Sequence, residues 1–230
     1  MCGRIRQRGD EPDYFRMTRW DPAKAFPPEY ERSSNVPPGT RPLVLHRLGD
    51  GSEQADCLFW GYKPPWYNRS PACNARLDTV LKRSPFWQPL LTRRVILPCE
   101  GWYEWTGPKG DKQPWFISTK DGNPILMPGL TAWLPGREIL AETGFAIITD
   151  DAAGGLVDLH DRRPVCLTPD DAAAWVAPDT PVQEALELLS TPRPESAFQW
   201  WQVTRAMGNS RYQALDASDP IAPTDRDRQS

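Results

Sequence analysis

Arg94-Val-Ile-Leu-Pro-Cys99, followed after one residue by Gly101-Trp-Tyr-Glu-Trp105, is the stretch on which the fold turns. Its first half is a short apolar run and its second half alternates, so both read as β-strands at close spacing. In an extended 101–105 segment, Trp102 and Glu104 share one face while Tyr103 and Trp105 share the other. Further strands follow outward: Pro114-Trp-Phe-Ile-Ser118, then Ile125-Leu-Met127 after the turn Asp121-Gly-Asn-Pro124, then Gly144-Phe-Ala-Ile-Ile-Thr149. Toward the N-terminus, 41–46 and 57–60 flank Gly49-Asp50-Gly51, a hairpin signal. Helix signals are fewer. Thr168-Pro169-Asp170-Asp171 places a capping hydroxyl, a first-turn proline and two carboxylates ahead of 172–176. Thr180-Pro181 repeats the device ahead of 184–189, and a weaker helix is expected over 79–82.

The composition agrees with many short strands. The chain has 230 residues, 39% hydrophobic and 25% charged, but carries 26 Pro and 11 Trp. That much proline is incompatible with an all-helical bundle or a regular doubly wound sheet. The expected class is α+β, with a curved, largely antiparallel, barrel-like sheet flanked by a few short helices. Residues 2–213 form one domain in this reading, and 214–230 form a disordered polar tail.

Five Cys with no C-x-x-C pair, and only His46 and His160 to complete a ligand set, make a zinc site improbable. No cofactor and no metal are expected. No run approaches the roughly 18 apolar residues of a membrane span, and no secretory signal is visible at the N-terminus. A soluble protein with free thiols in a reducing cytoplasm is the expectation. The net charge of -3 argues against a protein that coats nucleic acid, yet residues 1–121 carry 19 Lys and Arg against 14 Asp and Glu. Residues 122–230 carry 8 against 16. A local surface for an anionic ligand is therefore compatible with the N-terminal half.

Cys2 follows the initiator Met directly. Methionine removal would leave a 1,2-aminothiol, whose amine condenses with an aldehyde and whose thiol then closes a thiazolidine ring. The same thiol is also a potential acyl nucleophile, or an incidental cysteine. Glu104 beside an indole reads either as a partly desolvated proton carrier or as a solvent-facing carboxylate. His160, in Asp158-Leu-His-Asp-Arg-Arg-Pro164 after Gly154-Gly155, lies in an Arg-flanked loop and reads as a phosphate-side group or as the pin of a turn. His46, in an apolar strand, reads as structural. The segment 60–69, rich in aromatic, Pro and cationic residues and followed by Asn74-Ala-Arg76, suits a single-strand stacking platform as well as plain packing.

In combination these blocks resemble the SOS-response-associated peptidase (SRAP) family. The matching residues are Met1-Cys-Gly-Arg4, Asn35-Val-Pro-Pro38, Trp60-Gly61 with Pro64 and Trp66, Asn74-Ala-Arg76, Glu100-Gly-Trp-Tyr-Glu-Trp105, Gln113-Pro114, Thr149, His160-Asp-Arg-Arg-Pro164, and Val203 with Asn209. The order is the family's, and the likeness spans nearly the whole chain.

The resemblance implies an enzyme that links mature Cys2 covalently to the ring-opened aldehyde of an abasic site in single-stranded DNA, first as a Schiff base and then as a thiazolidine. Asn74 would orient the terminus, Glu104 would shuttle protons, and His160 would hold or protonate the sugar oxygen or a phosphate. Arg4, Arg76, Arg162 and Arg163 would meet phosphates, Asn35 would line the DNA path, Trp66 and Pro38 would stack against flanking bases, and Thr149 would support the sugar. It further implies a bacterial cytoplasmic monomer, at the nucleoid when bound to DNA, that protects abasic sites during the DNA damage response. Two positions depart from the family pattern: Asp78 stands where Glu is common, and Arg163 where Met is common. Two other functions remain open. One is a thiol peptidase with Cys2 as nucleophile, His160 as base and Glu104 as orienting acid, able to remove its own N-terminus. The other is a non-catalytic single-strand binder using Trp66, Arg4 and Arg76.

Overall fold

The computed structural model describes residues 2–20 and 25–221. Every residue of the strand Arg94–Cys99 (β6) is buried, which is why it reads as an unbroken apolar run. Val95, Leu97 and Cys99 belong to one apolar cluster and Ile96 to another, so the strand separates two cores. It lies between Leu43–His46 (β3) and Ile125–Thr131 (β9), antiparallel to both. Gln54–Cys57 (β4) joins β3 in a hairpin about the expected turn, which holds Gly49 and Gly51 at φ +83 and +80, but β4 starts three residues before the expected 57–60. That left-handed backbone is one glycine adopts at no steric cost. Beyond β9 stands Phe145–Asp151 (β10), which pairs antiparallel with Arg162–Pro164 (β11) and in parallel with Asn74–Arg76 (β5).

A second sheet runs in the order Phe198–Gln202 (β12), Gln113–Thr119 (β8), Gly101–Thr106 (β7), Ile5–Gln7 (β1) and Ser33–Val36 (β2). The α+β, helix-poor, mainly antiparallel class is thus what the structure shows, with the strands divided between two sheets instead of closed into a barrel. Between the sheets lies a core of Ile5, Trp102 and Ile117 from one side and Val95, Leu97, Met127 and Phe145 from the other. Cys2 belongs to it. The opposite face of the β6 sheet is covered by Glu11–Met17 (α1), Leu77–Leu81 (α2), Pro169–Val176 (α3) and Val182–Leu188 (α4), with Tyr14, Val80, Trp175 and Leu186 packed against Ile96 and Ile148 in one cluster.

Several details differ from expectation. Proline does not end β9 at Met127: the strand continues through Pro128 to Thr131. Pro98 sits inside β6, as expected. Each is tolerated because a neighbouring strand stops short of it. The β3 ladder covers only Val95 and Ile96 of β6, and the β10 ladder reaches β9 only from Gly129 onward. Neither ring nitrogen therefore falls at a pairing position on that side. The cap at Thr168 is present, its side chain accepting from the Asp171 N–H, but Thr180 does not cap α4. Pro181 is the residue before that helix, and the Thr180 carbonyl instead accepts from Arg94 Nη2 at 2.9 Å. α2 begins at Leu77, two residues earlier than expected; α1 lies outside the expected elements although Pro12, Glu11 and Asp13 give it a first turn like that of α3, while β1, β2 and β12 carry no strong local signal and are set by packing. The C-terminal segment is not a free tail from residue 214. Ala217 is fully buried with Tyr103, Phe116 and Met207, and Trp201 Nε1 donates to the Ser218 carbonyl at 2.7 Å. Residues 222–230 lie outside the described residues.

Candidate active site

The site is assembled where the N-terminal segment meets β7 and β5. β1 pairs with β7 through Ile5 opposite Trp102 and Arg6 opposite Gly101, and the Tyr103 N–H donates to the Arg4 carbonyl at 2.9 Å. Gly101 permits the close approach of β8, since a Cβ there would lie 2.3 Å from the Ile117 carbonyl oxygen. Running antiparallel to β7, the chain before Ile5 heads toward the Glu104 end of that strand. Cys2 is fully buried there, and Glu104 is buried too, which removes the solvent-facing reading.

β5 supplies Asn74, whose Nδ2 donates both to the Cys2 carbonyl at 3.0 Å and to Cys73 Sγ at 3.1 Å. The Cys2 carbonyl can only accept, so it fixes which way the amide faces. Both Nδ2 hydrogens are then used, and Oδ1 is buried without a hydrogen-bond partner. A buried acceptor left open costs free energy unless a donor arrives. Cys73 was visible in the sequence only as one more unpaired thiol; its place beside Asn74 was its only signal.

Burial pushes the Cys2 thiol well above its ordinary pKa, and the nearby Glu104 charge pushes it in the same direction; a hydrogen bond from the Arg4 N–H acts the other way. Burial raises Glu104 to about 7, with a contribution from the Asp161 charge. A carboxyl poised there exchanges protons in either direction near neutral pH. His160 is lowered by desolvation, against the pull of Asp161. Its Nδ1 is contested. The Arg162 N–H reaches it at 3.0 Å, which requires a neutral Nδ1, while Asp161 Oδ1 lies at 2.6 Å and bonds only a protonated one. A neutral ring held by Arg162 carries its proton on Nε2. His160 is therefore both the pin of a turn and part of the site's electrostatics. His46, by contrast, is fully buried, bonded through Nε2 to Asp56 at 2.9 Å and accepting at Nδ1 from the Leu48 N–H, a structural residue as expected.

The remaining candidates separate into ties and exposed groups. Arg162 is buried, its Nη2 donating to Thr149 O and Oγ1 and its Nη1 to Asp151, so it joins β11 to β10 and holds the fully buried Thr149. Arg163, next along the strand, turns the other way, to the Arg193 carbonyl and the Phe198 ring. Arg4 Nη1 donates to Asn35 Oδ1 at 2.6 Å and to the Met207 carbonyl, and the guanidinium lies over the Trp105 ring. Asn35 is fully buried and donates onward to the Asn209 and Tyr212 carbonyls. Pro38 is half-buried in a turn. Arg76 is exposed beside Asp78, and Trp66 is 62% exposed, edge-on to Tyr67 and Phe86. A large indole left in water, three residues before the exposed Arg69, is the feature here that most resembles a stacking platform. The five cysteines are free thiols. Among the described residues no group of His, Cys, Asp and Glu is placed to hold a metal ion, and no helix is long and apolar enough to cross a membrane.

The family model of the SOS response associated peptidase (SRAP) matches residues 1–210, and the chain belongs to that family. Over 229 residues it is 38% identical to the abasic site processing protein YedK of Escherichia coli strain K12, covering 96% of this chain and 100% of that protein. It is 28% identical to the abasic site processing protein HMCES of Mus musculus, covering 91% of this chain and 69% of that one. Among solved structures, a phage-related protein from Bordetella bronchiseptica matches with a TM-score of 0.79 and 42% identity, over 89% of this chain and 95% of that one.

Proposed function

We propose that this protein processes abasic sites in DNA by covalent capture through Cys2, after removal of Met1. The supporting observation is the geometry of Asn74. Its Nδ2 grips the Cys2 carbonyl while its buried Oδ1 has no partner, which suits an acceptor for the N–H of a freed Cys2 amine. The amine adds to the aldehyde carbon of the ring-opened sugar. Glu104 supplies the proton with which the carbinolamine hydroxyl leaves as water, giving an imine. The thiol sulfur then adds to the imine carbon, and its proton ends on the nitrogen, closing the thiazolidine. The net reaction is aldehyde plus aminothiol giving thiazolidine plus one water. Reversal runs through the same groups. His160, with its Nε2 proton, serves the sugar oxygen or the adjacent phosphate.

The substrate in this reading is single-stranded, because the aldehyde must reach a buried terminus and a duplex holds its sugars on the outside of a rigid rod. Trp66 and Pro38 stack on flanking bases, and Arg76 meets a phosphate. The protein acts as a monomer at the DNA of a bacterial cytoplasm. The thiol-peptidase alternative needs a thiolate of low pKa. Burial and Glu104 act against one at Cys2, whereas addition to an imine held on the same residue does not require it.

The test is incubation of the purified protein, its loss of Met1 verified by intact mass, with a single strand carrying one abasic site, followed by a denaturing gel. A shifted protein–DNA band that disappears in Cys2→Ala is expected. No band with the wild type, or an equal band with Cys2→Ala, refutes capture through Cys2.

A further inference from the structure

Beyond the end of β1 opens a cavity of about 440 Å³ whose wall carries Arg6, Arg8, Arg16 and Arg32 against two carboxylates, Asp13 and Glu100. Glu100 is already engaged. It accepts from the Arg8 and Gly9 backbone N–H groups at 2.8 and 2.9 Å, holds the Tyr14 hydroxyl, and lies 3.6 Å from Arg6 Nη1. Among the described residues no carboxylate is within ion-pair distance of the Arg8, Arg16 or Arg32 guanidinium, and Arg6 Nε is buried without an acceptor. Elsewhere some exposed arginines have a carboxylate partner, Arg19 with Asp170, Arg76 with Asp78 and Arg205 with Asp111, while others such as Arg69 and Arg137 stand alone among the described residues and apart from one another in sequence. Arg16 gains locally from the carbonyl end of α1, a few tenths of a kcal/mol. That accounts for Arg16, and Glu100 for Arg6, but neither accounts for Arg8 and Arg32 converging with them on one concave surface. Like charges brought together repel unless an anion sits among them, and guanidinium forks match phosphate oxygens.

Arg6 and Arg8 lie four and six residues from Cys2 along the same segment. At roughly 3.3 Å per residue that is about 13 and 20 Å, the span of about four to six nucleotides stacked at roughly 3.4 Å. We propose that this cavity is a phosphate subsite, filled by the backbone of the bound strand some four to six nucleotides from the abasic sugar. The proposal rests on the reading that the protein binds DNA at Cys2.

The full chain carrying Arg8→Gln, Arg16→Gln and Arg32→Gln together tests it; Arg6 stays, since it pairs with Glu100. With an undamaged single strand of roughly 15 nucleotides, long enough to span both places, the slope of log affinity against log salt should shrink by about 2, near 0.7 for each lost contact. Crosslinking of an abasic trinucleotide, too short to reach the cavity, should keep its wild-type rate. An unchanged slope and affinity for the long strand overturns the subsite. A slope that shrinks although the wild type forms no crosslink keeps the subsite and refutes only capture by Cys2. If the triple variant abolishes a thermal shift produced by inorganic phosphate while leaving the DNA slope untouched, the cavity serves free phosphate and its assignment to the strand is overturned.

Discussion

Glu104 shows what a single buried side chain contributes. Its neighbours on β7 were legible by alternation, and Trp102 and Tyr103 do fall on opposite cores. That Glu104 is sealed from water was not legible, because burial of a carboxyl at a strand position depends on what the N-terminal segment and the facing sheet lay over it. The consequence is a carboxyl raised to about 7 from a usual value near 4.5. Between those two values the unfolded chain has released this proton while the folded chain keeps it, so stability falls as pH rises through the window. Urea unfolding of wild type against Glu104→Gln should show the wild type losing up to about 3 kcal/mol relative to the variant between pH 5 and 8. The same substitution should slow crosslinking by about a hundredfold or more and erase an inflection near pH 7 in the wild-type rate, with DNA affinity preserved. Equal loss of affinity and rate refutes the proton-transfer role. Cys2 and Asn74 were both visible as candidates in the sequence, but the sharing of the Asn74 amide with Cys73 Sγ exists only once β5 lies beside the N-terminus.

At the scale of elements, the clear signals were those whose cause is local. The hairpin at Gly49 and Gly51, the capped start of α3 and the successive strands β6 and β7 each follow from turn chemistry, capping, or an apolar run and alternation within a few residues. Where the cause is a neighbour, the signal was missing or misleading: proline inside β9 is harmless only because the β10 ladder ends beside it. β10 and β11 give the functional counterpart. Arg162 read as a phosphate contact in the sequence, yet its fork reaches from β11 to both Thr149 and Asp151 on β10. A lysine has one compact ammonium and cannot hold both residues at once. Arg162→Lys should therefore lower unfolding stability in urea by about 1–2 kcal/mol. A stability equal to wild type, with a salt slope for DNA reduced by about 1, would instead make Arg162 a phosphate contact and not a tie.

For the whole molecule, the C-terminal segment closes the outer face of the second sheet, the one built on β7 and β8. Ala217 fills the cluster around Tyr103 and Met207, Trp201 bonds Ser218, and the Ile221 N–H donates to the Gln202 carbonyl at 3.0 Å. Truncation after residue 213 should lower stability by about 2 kcal/mol, the sum of two hydrogen bonds and a little apolar burial. It should also shift tryptophan emission to the red as Trp201 is wetted; a melting temperature and spectrum equal to wild type would count against the packing role. The sequence by itself determined the strand-rich α+β class, the proline-punctuated loops, and the ordered blocks from Cys2 to His160 that mark the family, because those follow from spacing and residue chemistry along the chain. Only the tertiary structure decided which polar groups are buried together. Whether Glu104 holds its proton, whether Arg162 is tied or free, and why four arginines ring one cavity are set by desolvation and by the placing of partners far apart in sequence, and neither is encoded locally.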